Sequence, residues 1–532
     1  MGRYRNPILP GCHPDPSVCR VDDAFYLVTS TFEYLPGLPI HRSTNLVDWE
    51  LVGHAIDRPE QLDFAGLPSS CGLFAPTIRH HGGRFFVVCT VVGPDDGSWG
   101  GRTGHFVVTA GAASGPWSDP VWIDGVGGFD PSLTFDGERV WLVGTEPSAS
   151  ASWPGQTDVW LYELDPVSLQ PVSSREVIWH GAMVGAVWAE GPHLQPRPGG
   201  GWMLVAAEGG TAREHAVCVA YAEEITGPYV GDPANPRLSH RDLGRLAPIA
   251  SVGHADLVDD GAGGTWATVL ATHPVGGEDG LLGRQTHLVP VEWEDRRPVF
   301  APGSGRVEEW VAHPGVPTQA AWPAVVVDAF AGPALDLSWN GVGRHPSAFA
   351  ELGSLGKLGS RAGHLRLRGG AEPSGLGAQS FLGRRLPAAS VDVAVVVDLG
   401  GSATGADADA AAPAPLRGGL LLRTGEHAHV ELTVDRAGVV RCVSTASGVS
   451  RVVLATQPGA TRRELGFEVR DRSARVLVDG VAVTTVDLSG LVPDPARGFV
   501  GVWLGPVAIG PDSDSVDVAE FTLSVSSAAP GD

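Results

Sequence analysis

Lysine is all but missing from this chain: of its 37 basic residues, Lys357 alone is not an arginine. Set against 60 acidic residues, they leave a net charge of −23. That balance disfavours nucleic acid and anionic membranes as partners and suits a protein that meets neutral ligands. Long apolar runs are missing too. None approaches the roughly 18 residues of a membrane span, so no membrane partner is expected. The six cysteines form no Cys-x-x-Cys pair and no Cys/His cluster at zinc spacing. They read instead as small buried apolar residues. The opening Met-Gly-Arg-Tyr-Arg-Asn-Pro has no apolar signal core, and Asn6 breaks a myristoylation match. A reduced cytoplasmic protein is the expectation. Helix signals are scarce as well, because 72 Gly and 43 Pro punctuate the chain at short intervals, which favours short strands and turns.

What is present is a repeat. One small pattern opens at Asp15-Pro16-Ser17-Val18, Ala75-Pro76-Thr77-Ile78, Asp130-Pro131-Ser132-Leu133, Gly191-Pro192-His193-Leu194 and His254-Ala255-Asp256-Leu257. After a polar turn each copy meets a second apolar strand, such as Phe25-Tyr26-Leu27-Val28 or Val140-Trp141-Leu142-Val143. The second residues of the copies stand at 16, 76, 131, 192 and 255, giving steps of 60, 55, 61 and 63 residues. Hairpins at that period predict radially repeated blades, and five copies predict a five-bladed β-propeller. Further strand signals at 106–109, 159–162 and 216–220 supply the outer strands of a blade.

Residues 1–310 are therefore read as the propeller. Residues 311–323, with Pro314, Pro317 and Pro323, read as a linker. Residues 324–532 lose the period but keep short alternating strands at 391–397, 419–423, 429–433, 465–469 and 475–478. Asp479-Gly480 between two apolar runs is a hairpin turn. This second half predicts a β-sandwich, with low-complexity residues 402–415 as a surface loop. The fold class is all-β.

Equivalent positions of successive blades face one axis, so Asp15, Asp130 and Glu190 converge. Two carboxyl groups, one protonated and one ionised, are the minimum for cleaving a glycosidic bond, and a third beside the acid would raise its pKa. Placement on separate blades leaves room for a water between them, as inversion requires. The competing reading is structural, because Asp-Pro-Ser makes a good turn by itself. Asp256 and Glu208 are read as structural, and Asp22, Asp23 and Asp136 as solvated turn residues.

The stretches Asn6-Pro7-Ile8-Leu9-Pro10-Gly11, His13-Pro14-Asp15-Pro16-Ser17 and Ser30-Thr31-Phe32-Glu33-Tyr34-Leu35-Pro36-Gly37 resemble family 43 glycoside hydrolases. So do Ala75-Pro76-Thr77-Ile78-Arg79, Gly128-Phe129-Asp130-Pro131-Ser132, Glu190-Gly191-Pro192-His193-Leu194, Gly253-His254-Ala255-Asp256-Leu257 and Leu282-Gly283-Arg284. The second half resembles the concanavalin A-like sandwich of the β-xylosidase/α-L-arabinofuranosidase branch. The resemblance implies an inverting enzyme with Asp15 as general base, Glu190 as general acid and Asp130 raising the acid's pKa. It implies that Arg284 hydrogen-bonds sugar hydroxyls, that Phe32 and Phe74 wall the sugar pocket, and that His254 lies near the axis. No cofactor is required on this reading, although some members hold Ca2+ through water at the position of His254. Phe74 departs from the tryptophan usual there, and the stretch from Gly144 to Trp153 lacks the loop of dedicated β-xylosidases.

The expected function is exo-acting, inverting release of terminal β-D-xylosyl or α-L-arabinofuranosyl residues from neutral oligosaccharides. Many relatives are dimers or tetramers, so the resemblance admits a homo-oligomer. Two rivals remain open on sequence: a non-catalytic carbohydrate-binding propeller, and a retaining fructan or sucrose hydrolase.

Overall fold

The computed structural model describes residues 2–182, 185–353, 363–400, 415–493 and 498–526. Each of the five sequence copies builds the innermost strand of its own antiparallel sheet. These strands are Ser17–Val21, Thr77–His81, Phe129–Asp136, Glu190–Pro196 and Ala250–Asp259. Each is followed by the second strand that the apolar runs foretold: Ala24–Val28, Arg84–Val92, Arg139–Pro147, Trp202–Glu208 and Thr265–Thr272. The inner strands neighbour one another in a closed ring, and among the described residues further strands complete blades of four strands, or five in the second and fourth. The chain is an all-β protein whose first part is a five-bladed propeller.

The ring is closed by a contact with no local sequence signal. Gly2–Arg5 pairs with Trp310–His313, and the Asn6 side chain clamps the backbone of Leu288 from both its N–H and C=O sides (2.8 and 3.0 Å). Residues 311–313 of the expected linker are thus a strand. Beyond them Gln319 bonds Arg3 and Val47, so this stretch lies on the propeller rather than spanning open space. Its prolines suppress regular pairing without preventing docking.

Among the described residues, the second part is two packed sheets, to which it supplies eight and seven strands. In Ser390–Asp398, buried Val391, Val393, Val395 and Val397 alternate with half-exposed neighbours, the period of two that lets a strand cover a core on one face. Asp479 and Gly480, both at positive φ, make the expected hairpin turn. The loop expected at 402–415 falls, up to residue 414, outside the described residues. Helix is confined to two short turns among the described residues, and no helix there is long and apolar enough to cross a membrane.

The two parts share structure. Tyr34–Leu35, from the propeller, pairs with Asn340–Val342 and extends one sandwich sheet. The Tyr34 ring stacks on Trp503 at 3.9 Å. Beside it, buried Arg423 of the sandwich reaches Glu33 (3.3 Å), the Tyr34 hydroxyl (3.2 Å) and Ser69 (3.0 Å). A charge pair removed from water in this way is costly to break from one side. The sandwich is therefore held rigidly against the loop that follows the first blade's second strand.

Candidate active site

The axial ends of the inner strands share an unusual backbone. Asp15, Asp130 and His254 sit at φ of 56°, 52° and 47°, and Gly191 at 55°. For residues with a Cβ this left-handed region is costly and concentrates at functional sites. In three blades the cause is a bulge. Phe129 pairs with Thr145 but Ser132 with Val143, Glu190 with Ala207 but His193 with Val205, and Gly253 with Leu270 but Asp256 with Thr268. One extra residue is inserted each time, which re-aims the side chain at that point. Register also explains why Glu190 stands one place before its copy: it aligns with Phe129, not with Asp130. The aligned partner of Asp130 is Gly191. A Cβ there would lie 2.7 Å from the His254 ring, so glycine is what lets that histidine reach the axis.

The three carboxylates differ in their partners. Asp15 accepts from the Ser30 hydroxyl at 2.6 Å and from Arg284 Nη1 at 3.0 Å, with His254 Nδ1 at 3.5 Å. Asp130 accepts the Gly191 N–H at 3.2 Å. Burial, and then the charge of Asp15, push its pKa up to about 8. Burial, followed by the charges of Asp130 and Asp15, pushes Glu190 well above the usual carboxylate range. The two titrate as a pair. The Gly191 N–H stabilises the anion of Asp130, and so biases the shared proton toward Glu190. A neutral carboxylic acid near neutral pH is what a proton donor needs.

Below these groups lies a second ring of polar side chains from the third position of each copy. Asp256, fully buried, accepts from Ser17 Oγ (2.8 Å), the Val18 N–H (3.1 Å), Arg79 Nη1 (2.8 Å) and Gln195 Nε2 (3.3 Å). Arg79 Nη2 also bonds His193 (3.1 Å), which meets Ser132 (3.1 Å). The Arg79 guanidinium and His193 offset burial and hold the Asp256 carboxyl at about 2. One buried network thus joins all five blades beneath the site, and Asp256 is the structural carboxylate it was read to be. Glu208 does more than support its own turn: it accepts the Ala182 N–H and so anchors the loop that leads to Glu190.

Calcium takes about six to eight oxygen ligands. Among the described residues no set of three or more His, Cys, Asp or Glu is arranged to hold a metal. Asp15 and Asp256, which flank His254 electrostatically, are engaged by Arg284 and Arg79 respectively. A Ca2+ ion at His254 would therefore rest on intervening water rather than on a cage of these carboxylates.

Arg284 is the hinge between acid chemistry and apolar wall. Its second nitrogen, Nη2, bonds the Phe499 carbonyl at 3.3 Å, and its guanidinium lies 5.5 and 5.2 Å from the rings of Phe32 and Phe499. Phe32, Phe74 and Phe499 pack edge-on or stacked at 5.4–5.9 Å. Phe32 is buried and Phe74 half-buried, so Phe74 shows the wider face. Phe499 comes from the sandwich, held by the Ser70 hydroxyl accepting its N–H at 3.0 Å. Nothing local in the sequence ties Phe499 to Arg284. Ser30 was within a quoted motif but had no role. A cavity of about 700 Å³ lies elsewhere, between the outer edge of the first blade and the sandwich, where His54, Asp57, Trp339 and His345 line it. None of the three carboxylates does.

Residues 4–298 match Glycosyl hydrolases family 43, and residues 327–524 match the Beta xylosidase C-terminal Concanavalin A-like domain. A xylosidase/arabinosidase of Butyrivibrio fibrisolvens is 43% identical over 310 residues, 58% of each protein's length. A non-reducing end alpha-L-arabinofuranosidase of Bacteroides ovatus is 34% identical over 97% of this chain and 93% of its own. The crystal structure of a xylan beta-1,4-xylosidase from Bacillus halodurans superposes with a TM-score of 0.85 at 29% identity, covering 98% of this chain and all of that one.

Proposed function

The chain belongs to glycosyl hydrolases family 43, and from that premise we propose that it removes terminal β-D-xylosyl or α-L-arabinofuranosyl residues from neutral oligosaccharides with inversion. The observation that carries this reading is the division of labour on one axis. Glu190 has its pKa pushed up by burial and then by the charges of Asp130 and Asp15, while Asp15 is paired with Arg284 at 3.0 Å.

In the proposed step, the Glu190 carboxylic acid gives its proton to the departing glycosidic oxygen as the C–O bond breaks. Asp15 takes a proton from a water that attacks the anomeric carbon on the opposite face. Glu190 is left ionised and Asp15 protonated, and exchange with solvent restores both. Asp130 remains a positioning residue, tied to the acid through the Gly191 N–H and keeping its pKa high. Arg284, which pairs with Asp15 through Nη1 and reaches the Phe499 carbonyl through Nη2, stands where a guanidinium would hold a sugar hydroxyl beside the base. The aromatic wall of Phe32, Phe74 and Phe499 stands beside Arg284, and a wall on the side of the base supports attack on a chain end rather than mid-chain.

The test is kcat/KM on nitrophenyl α-L-arabinofuranoside and nitrophenyl β-D-xyloside with one preparation. Phe74 is a smaller ring than the tryptophan usual at that place, which supports a pocket that accepts either pentosyl unit. Turnover of the arabinofuranoside is expected to equal or exceed that of the xyloside. Silence on both would overturn the reading, while a tenfold preference for xyloside, about 1.4 kcal/mol, would overturn the choice of sugar.

A further inference from the structure

Two groups of aromatic rings flank the carboxylates, and only one has been given a task. Phe32, Phe74 and Phe499 gather at Arg284 and Asp15, on the side of the base. The other group stands on the side of the acid. Trp188 lies two residues before Glu190, and its ring is 6.3 Å from that of Phe129, which precedes Asp130. The core tryptophans 117, 160, 266, 339 and 503 are no more than 2% exposed, whereas Trp188 is 39% exposed.

This exposure is not the looseness of a free loop. The Trp188 N–H donates to the Gly155 carbonyl at 2.8 Å, and the carbonyl of Val187 accepts the Gly209 N–H at 2.8 Å. The indole of Trp153 donates to the Ala186 carbonyl, also at 2.8 Å. Trp188 itself is held at φ 52°, a conformation that large side chains seldom adopt. Gly210 leaves the flank of the indole clear, since a Cβ there would touch Cδ1 at 3.4 Å. The backbone is fixed on both sides while a large apolar ring two residues from Glu190 is left partly in water. Packing gives no reason for that arrangement; a ligand does.

We infer that Trp188 is the platform on which the leaving sugar stacks. The inference rests on the glycosidase reading, because Glu190 protonates the oxygen that departs with that sugar. A group beside the acid and away from Asp15 therefore contacts the leaving unit, not the pentosyl unit being released. The apolar C–H face of a pyranose ring is the chemistry that a half-exposed indole recognises.

The test compares Trp188→Ala and Trp188→Phe with wild type on two substrates carrying the pentosyl unit the enzyme prefers. One is the pentosyl fluoride, whose leaving group has no ring; the other is the same pentosyl unit linked to xylobiose. For Trp188→Ala, kcat/KM on the oligosaccharide falls about tenfold, while the fluoride stays within about twofold of wild type. Trp188→Phe lies between the two on the oligosaccharide. Equal losses on both substrates, or no loss on the oligosaccharide in either variant, would overturn the inference. Failure of wild type to cleave either substrate would instead count against the glycosidase reading.

Discussion

Glu190→Gln lowers kcat/KM on an unactivated pentosyl oligosaccharide by about 10³- to 10⁴-fold, at the upper end of what general acid catalysis contributes. Glutamine keeps the size and burial of the side chain but has no proton to give. The loss shrinks sharply on a nitrophenyl glycoside, whose oxygen departs without help, and this dependence on the leaving group marks the acid. A pH dependence follows with a definite sign. Burial and the neighbouring carboxylates raise the pKa of Glu190, so the active protonated form persists above the usual carboxylate range. It is lost as pH rises through that raised value. Wild type therefore shows an alkaline fall in kcat/KM, and Glu190→Gln lacks that limb. Rates that drop equally on both substrates would assign the proton to another group.

Asp15→Asn removes the base while leaving a side chain that Ser30 can still address. Turnover falls about 10³- to 10⁴-fold, and here the loss is the same for good and poor leaving groups, because water activation is needed whichever oxygen departs. The two variants are thus separated by the shape of the loss rather than its size. Part of the Asp15→Asn effect falls on Arg284, which loses its carboxylate partner at 3.0 Å; circular dichroism and melting temperature show whether the fold survives. A variant that stays folded and retains a tenth or more of wild-type activity would remove Asp15 from the mechanism.

Much of this site was legible because a repeated blade repeats its chemistry. The five copies became the five inner strands, since each carries the same polar-apolar run, after proline in four copies and Ala255 in the fifth, into a hairpin. Asp15 and Asp130 were thereby placed on one axis from spacing alone. Glu190 was legible as an acid near the start of its copy. The bulge that shifts its register is a matter of pairing between strands, on which a single strand is silent. The same limit hid the closure of the propeller. Gly2–Arg5 and Trp310–His313 are some 300 residues apart, and prolines 314, 317 and 323 made the neighbourhood read as a linker. Phe499 carried no local signal, because its place beside Arg284 depends on how the sandwich docks. That docking rests on Glu33, Tyr34 and Arg423. The first two lie within a motif whose resemblance was clear but whose physical purpose was not.

The most direct test of the division of labour between Glu190 and Asp15 is stereochemical. Hydrolysis of a pentosyl glycoside is followed by proton NMR from the first turnovers, before the released sugar mutarotates. A water activated by Asp15 on the face opposite the leaving oxygen yields the inverted anomer first: α-xylose from a β-D-xyloside, or β-L-arabinofuranose from an α-L-arabinofuranoside. First appearance of the substrate's own configuration would mean a covalent intermediate. Asp15 would then be a nucleophile, as in a retaining hydrolase, and the assignment of a general base would be wrong.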